Sequence, residues 1–342
     1  MNDLKDARIC VEKMLPQHQN ILNEIKMTSN SEKHFEKLKA AFYTQKLWSP
    51  NSTIRIKFLQ NPPYNLERTP LNRILNAKDA NGNLLKVDPL QKVVDNMPIE
   101  NAIIQIVTQH IQPFVSVNLV FVNPNQNADI KISFDPNGGA WSYIGTDCLQ
   151  TSQNEPTMNF GWFDVSTVIH EFGHSLGMIH EHQNPKGNTI QWNVPVVYQW
   201  AQRTQGWDQS TTYSNIIQKY SSNSINGSKF DPESIMLYFF PGSLTLNNKG
   251  THQNLRLSIN DVLYLNSIYP TKNISTRLSP NAFYLKAYGE QINLSKELFV
   301  QQNNNDYKSI KKHFKKDDMG MFYCAIISFI FIVFIVLFTY KN

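Results

Sequence analysis

The spacing of apolar positions changes several times along the chain, and each change predicts an element. Residues 53–59 alternate apolar and polar side chains with a period of two, which predicts a strand with one buried face. Residues 99–111 instead place Ile99, Ile103, Ile106, Val107 and Ile111 three and four apart, the stripe of an amphipathic helix. Two short Val/Ile/Phe-rich runs, 117–122 and 130–134, are split by Asn123-Pro124-Asn125 and predict two further strands. A Gly138-Gly139 turn leads into residues 140–145, and 158–162 predict another short strand. Helical spacing returns after Asp164 and Ser166, either of which can cap a helix N-terminus. Further helical stretches fall at 194–203, 211–220 and 258–268, the last stopping before Pro270.

Outside this block the pattern differs. Residues 1–47 are charged and helical in spacing, as in 31–43. Residues 61–89 carry Pro62, Pro63, Pro70, Gly82 and Pro89 and read as an irregular insertion. Residues 271–318 are polar and weakly periodic, the composition of a stem. Residues 319–340 contain no charge at all and are rich in Ile, Phe and Val. As a helix this run spans about 33 Å, enough for a hydrocarbon core of about 30 Å, and it predicts a C-terminal transmembrane anchor.

Charge and cysteine content refine the setting. The net charge of +5 is concentrated at Lys308, Lys311, Lys312, Lys315 and Lys316, beside the apolar run. Lysines on that side predict a cytosol-facing domain, on an organelle membrane or on the surface of an enveloped particle. No aromatic-interleaved basic motif accompanies them, so nucleic acid is not an expected partner. The N-terminus lacks the uninterrupted apolar stretch of a secretory signal. Cys10, Cys148 and Cys324 are far apart and form no CxxC pair, which argues against a disulfide framework; a Cys10–Cys148 bridge stays open on sequence grounds. The sequons at Asn51, Asn226, Asn273 and Asn293 match chance occurrence in an Asn-rich chain.

The chemistry concentrates at residues 170–180, which read HExxHxxGxxH. Residues four apart on a helix lie about 40° apart around its axis, so His170 and His174 share a face and can grip one ion. Val165, Val168, Ile169, Phe172 and Leu176 cluster on the opposite face, ready to anchor the helix in a core. Gly177 permits a positive φ, which lets the chain turn and bring His180 back to the metal. Three neutral imidazoles leave a fourth position for water, the requirement of a catalytic zinc site. Glu171 follows the first ligand and is placed to take a proton from that water and pass it to a leaving amine.

The eleven-residue motif resembles the metzincin zinc peptidases. Its surroundings resemble the astacin-like branch and its microbial relatives: His180-Glu-His-Gln-Asn-Pro185, Phe230-Asp-Pro-Glu-Ser-Ile-Met-Leu-Tyr238 and Gly138-Gly-Ala-Trp-Ser-Tyr-Ile-Gly145. The resemblance covers residues 48–270. It implies an α+β, two-lobed metzincin catalytic domain, with a twisted mixed sheet and active-site helix followed by an irregular helical lobe. It also implies one catalytic Zn2+ held by His170, His174 and His180, with protein or peptide substrates. By the same resemblance Met236 supplies a hydrophobic floor beneath the imidazoles, and Tyr238 lies near the metal and hydrogen-bonds the developing oxyanion. Residues 139–145 match the family's upper edge strand, which can pair with an extended substrate. The chain departs from secreted astacins at Leu237, where a histidine is common, in lacking their paired disulfides, and in showing no aspartate-switch prosegment within residues 1–47.

Two functional classes follow. The first is a membrane-tethered zinc endopeptidase with Glu171 as general base and acid. The alternative is a membrane-anchored binding or virion structural protein on the same fold without activity. Glu171 separates them, because metal binding needs the histidines but not the carboxylate.

Overall fold

Strand pairing, rather than chain order, sets the architecture. The computed structural model describes residues 11–13, 46–63, 66–68, 94–184, 186–219 and 229–271, all within the compact unit Met1–Ser275. The strands are β1 (Val11–Lys13), β2 (Thr53–Phe58), β3 (Glu67–Arg68), β4 (Asn118–Phe121), β5 (Ile130–Ser133), β6 (Trp141–Tyr143), β7 (Met158–Asn159) and β8 (Trp162–Phe163). Six of them form one mixed sheet in the order β1-β6-β7-β5-β2-β4. The β2–β4, β2–β5 and β5–β7 pairs are parallel, and β6 runs antiparallel to β7. Strands β3 and β8 form a separate two-stranded ribbon.

The alternation in β2 holds as far as residue 56, with Ile54 and Ile56 buried and Thr53 and Arg55 exposed; Lys57 departs from it, buried with its Nζ donating to the Gln126 carbonyl at 3.2 Å. Strand β5 is buried at every position, because it lies inside the sheet with both faces covered. Lys131 can therefore be buried only with its ammonium satisfied, and its Nζ donates to Thr151 Oγ1 at 2.6 Å and to the Cys148 carbonyl at 3.3 Å. Helix α1 (Ile99–His110) buries Ile103, Ile106 and Val107, and α2 (Val165–Ser175) buries Val168, Ile169 and Phe172. After the motif, α3 (Val194–Gln205) and a short helix at Gln209–Thr212 precede α4 (Ile259–Ile268). Trp192, Val197, Trp200, Ile216, Tyr238, Phe240 and Leu244 build a second apolar cluster there.

Two expectations need correction. Residues 11–13 are strand rather than helix, paired in parallel with β6 through Val11↔Trp141, Glu12↔Ser142 and Lys13↔Tyr143. An unpaired sheet edge is a strong template, and pairing with it overrides local helical spacing. For the same reason the outer edge of β6 is not free for a substrate strand; β1 lies along it. Cys148 carries a free thiol in a buried position, where desolvation pushes its pKa up to about 12. The rest of the N-terminal extension, most of the insertion at 61–89, the stem and the expected span at 319–340 lie outside the described residues. Among the described residues no helix is long and apolar enough to cross a membrane.

Candidate metal centre

Helix α2 carries the first two histidines and is fixed at both ends. At its start Asp164 is the cap: Oδ1 accepts from the Thr167 amide at 2.7 Å and from Ser166 Oγ at 2.6 Å. At its end Gly177 takes φ +93°, and its amide donates to the His174 carbonyl at 2.8 Å. Two carbonyls of the last turn are satisfied from elsewhere in the chain. Trp48 Nε1 donates to Ser175 O at 2.8 Å, and the Tyr269 hydroxyl donates to Leu176 O at 2.9 Å. A side chain at Gly177 would also strike Leu47, so the turn is set by packing as well as by φ.

Beyond that turn His180 returns to the helix. His174 Nε2 and His180 Nε2 are 2.9 Å apart, and the three candidate ligand atoms of His170, His174 and His180 all lie within 4.8 Å of one another. Two nitrogens bound to one tetrahedral zinc sit about 3.3 Å apart, so ring shifts of a few tenths of an ångström complete the fit for that pair. The outer nitrogens of two ligands are already engaged: His170 Nδ1 with the Ile235 carbonyl at 2.8 Å, and His174 Nδ1 with the Met178 carbonyl at 2.9 Å. With Nδ1 donating, each Nε2 is left as the lone-pair nitrogen that a metal needs. His170 Nε2 is buried and has no hydrogen-bond partner among the described residues.

Electrostatics agree with this geometry. Burial lowers the His170 pKa to about 4 and drives His174 and His180 well below the ordinary histidine value. All three imidazoles are therefore neutral at pH 7, the ligating form. The donor set of three buried neutral imidazoles suits zinc.

Glu171, next to the first ligand, is fully buried. The turn containing Met236 and Tyr238 closes the site. The Glu181 amide donates to the Met236 carbonyl at 3.0 Å, tying the third-ligand segment to that turn. Tyr238 stacks on His170 with ring centroids 5.2 Å apart, and its hydroxyl hydrogen-bonds His180 Nε2.

Other participants were not singled out by sequence reasoning. His182 is fully buried and stacks on His180 at 5.2 Å, 27° between planes, and its Nε2 reaches the Asn215 carbonyl at 2.9 Å. Burial lowers its pKa to about 4. A second group is acidic. Glu181 Oε1 accepts from the Asp231 amide at 2.7 Å, Asp231 Oδ2 accepts from Ser258 Oγ at 2.6 Å, and Asp261 receives bonds from the turn itself. His182 and Glu181 lie in the His180–Pro185 stretch and Asp231 in the Phe230–Tyr238 stretch, whereas nothing in the sequence marks Asp261.

Residues 95–269, just over half of the 342, match the family model described as Astacin, a family of peptidases. The chain belongs to the astacin peptidase family. Among solved structures it is similar to myroilysin, at 29% identity over 67% of this chain and 97% of that chain, with a TM-score of 0.53. Another similar structure is high choriolytic enzyme 1, a hatching enzyme zinc-protease from the medaka fish Oryzias latipes. It shows 13% identity over 67% of this chain and 96% of that chain, with a TM-score of 0.40. No match was found among curated proteins. As an astacin, the chain is a zinc-dependent metalloendopeptidase whose substrates are proteins or peptides, and the cluster of His170, His174 and His180 can hold one zinc ion.

Proposed function

We propose that this astacin hydrolyses internal peptide bonds with Glu171 as the proton carrier and Tyr238 as the oxyanion donor, on a membrane surface to which residues 319–340 tether it. When bound, zinc polarises the scissile carbonyl and lowers the pKa of a coordinated water toward about 7. The protein's share of the work is positional. His170, His174 and His180 would hold the ion. Glu171 takes the proton of the attacking water and delivers it to the departing amine. Because a bound metal would take the lone pair of His180 Nε2, the Tyr238 hydroxyl that reaches that nitrogen would then donate instead to the carbonyl oxygen as negative charge develops there.

The convergence of three buried, neutral imidazoles beside a buried glutamate carries this reading. A binding protein would need the histidines but has no use for the carboxylate. The substrate strand is proposed to pair with β6, which requires β1 to leave that edge first. In this reading residues 1–45 restrain the enzyme. Tethering rests on the uncharged run at 319–340 and its flanking lysines. Incubating the purified chain with a denatured protein tests the activity. Cleavage is expected, and it is expected to stop with a chelator and with Glu171→Gln; a protein that binds zinc and cuts nothing would instead support the binding role. Deleting residues 319–342 is expected to move the protein from membranes to the soluble fraction.

A further inference from the structure

Helix α4 lies far from the motif in sequence, yet its N-terminus reaches the Ser234–Met236 turn, whose Ile235 carbonyl takes the hydrogen bond of His170. Ser258 and Asp261 form a reciprocal capping box, with the Asp261 amide donating to Ser258 Oγ at 3.0 Å and the Ser258 amide donating to Asp261 Oδ2 at 2.9 Å. A cap needs no more than this. Asp261 makes two additional bonds, both to the turn: Ser234 Oγ donates to Oδ1 at 2.7 Å and the Ile235 amide donates to Oδ2 at 2.8 Å.

Those bonds continue to a zinc ligand. Besides donating to Asp261, Ser234 Oγ accepts from the Met236 amide at 3.1 Å. The carbonyl of that same peptide unit, Ile235 C=O, takes the hydrogen bond of His170 Nδ1 at 2.8 Å. The chain therefore runs from carboxylate to hydroxyl to peptide N–H, and from the peptide C=O to the imidazole. Each donor in such a series strengthens the next acceptor, and in a buried setting the effect is not diluted by water. Asp261 is only 4% exposed.

We propose that Asp261 is a positioning residue for the zinc ligand His170, acting through Ser234 and the Ile235–Met236 peptide. The carboxylate fixes the plane of that peptide, and the peptide fixes the tautomer and orientation of the imidazole. A second partner that orients a ligating histidine is the usual way such a ring is held, and losing one weakens metal binding by about 10–100-fold. Here the carboxylate stands one hydroxyl and one peptide away from the ring. This inference rests on the zinc reading of the three histidines.

Two roles can be separated, because the cap and the relay share Asp261 but not its partners. Ser258→Ala removes the cap and leaves the relay. Ser234→Ala removes the relay and leaves the cap. Asp261→Asn weakens both. Zinc dissociation constants are measured by chelator competition on the full chain in detergent, with the visible spectrum of the cobalt-substituted protein and the thermal midpoint of the metal-free form. Ser234→Ala and Asp261→Asn are expected to raise the zinc dissociation constant at least tenfold and to alter the cobalt spectrum. Ser258→Ala is expected to lower the thermal midpoint while changing zinc affinity less than threefold. If all three variants lose zinc affinity equally, in step with stability, Asp261 is a helix cap and the proposal fails. Should Asp261→Asn not fold, Ser234→Ala against Ser258→Ala decides it alone. A wild-type chain that binds no zinc overturns the metal centre itself, an outcome distinct from unchanged affinity in the variants.

Discussion

The sulfur of Met236 lies 2.6 Å from where a Cβ on Gly173 would stand. The glycine inside the motif is thus the seat of the Met236 side chain, and helix α2 gives up a side chain there to admit it. The turn and the helix are packed as one unit.

Gly173→Ala tests that packing. Alanine favours a helix interior by about 1 kcal/mol over glycine. Overpacking a filled site costs about 1–3 kcal/mol. The clash is with a flexible thioether, so the fold is expected to survive with Met236 displaced and the ligands shifted. The expected result is little change or a modest drop in thermal midpoint, with kcat/KM reduced at least tenfold.

Glu171→Gln keeps the shape of the side chain and removes its basicity. Zinc content is expected to stay at one per chain while kcat falls about 10²–10⁴-fold. Metal analysis beside peptide hydrolysis measures both.

Tyr238→Phe retains the ring that packs on His170 and His182 and removes the hydroxyl. Loss of one oxyanion donor is worth about 10²–10³ in kcat. The fall is expected in kcat with KM nearly unchanged, read from steady-state kinetics on a fluorogenic peptide.

The metal-free protein is expected to lose stability as pH falls below about 6.5. Burial lowers the folded-state pKa of His170 and His182 to about 4, and of His174 and His180 well below 6.5. Unfolding frees these rings to bind protons, so the unfolded state gains as pH drops from about 6.5 toward 4. Burial raises Glu181 to about 7 and Asp261 to about 6, which acts in the opposite direction. Four histidines outweigh two carboxylates, so the thermal midpoint is expected to decline between pH 6.5 and 5. A flat midpoint across that range would contradict the burial of these rings.

Removing residues 1–45 is expected to raise activity on long peptides by opening the edge of β6. The cut spares Lys46, whose Nζ pairs with Asp147 at 2.7 Å in a buried position, and Trp48, which holds the end of α2. Kinetics on long and short substrates measure the effect, and equal rates before and after truncation would contradict it.

Local geometry explains why the centre of the site was legible in the sequence. Positions 170, 174, 177 and 180 are governed by one helix and one turn, so fixed spacing translates directly into direction. The strands at 53–58 and 130–133 were legible for a similar reason, since alternation and apolar runs report burial. What escaped depends on contacts distant in sequence. Val11–Lys13 is a strand only because β6 offers an edge to it. Asp261 matters through Ser234, 27 residues away, and no periodicity marks such a pair. His182 has the composition of an ordinary buried histidine until its stacking on His180 is seen.

Metal analysis of the purified chain, beside its His174→Ala variant, tests the central claim most directly. The account predicts one zinc per wild-type chain and none held tightly by the variant. A wild-type protein without stoichiometric zinc, or a variant that retains it, would contradict the assignment of His170, His174 and His180 as the metal site.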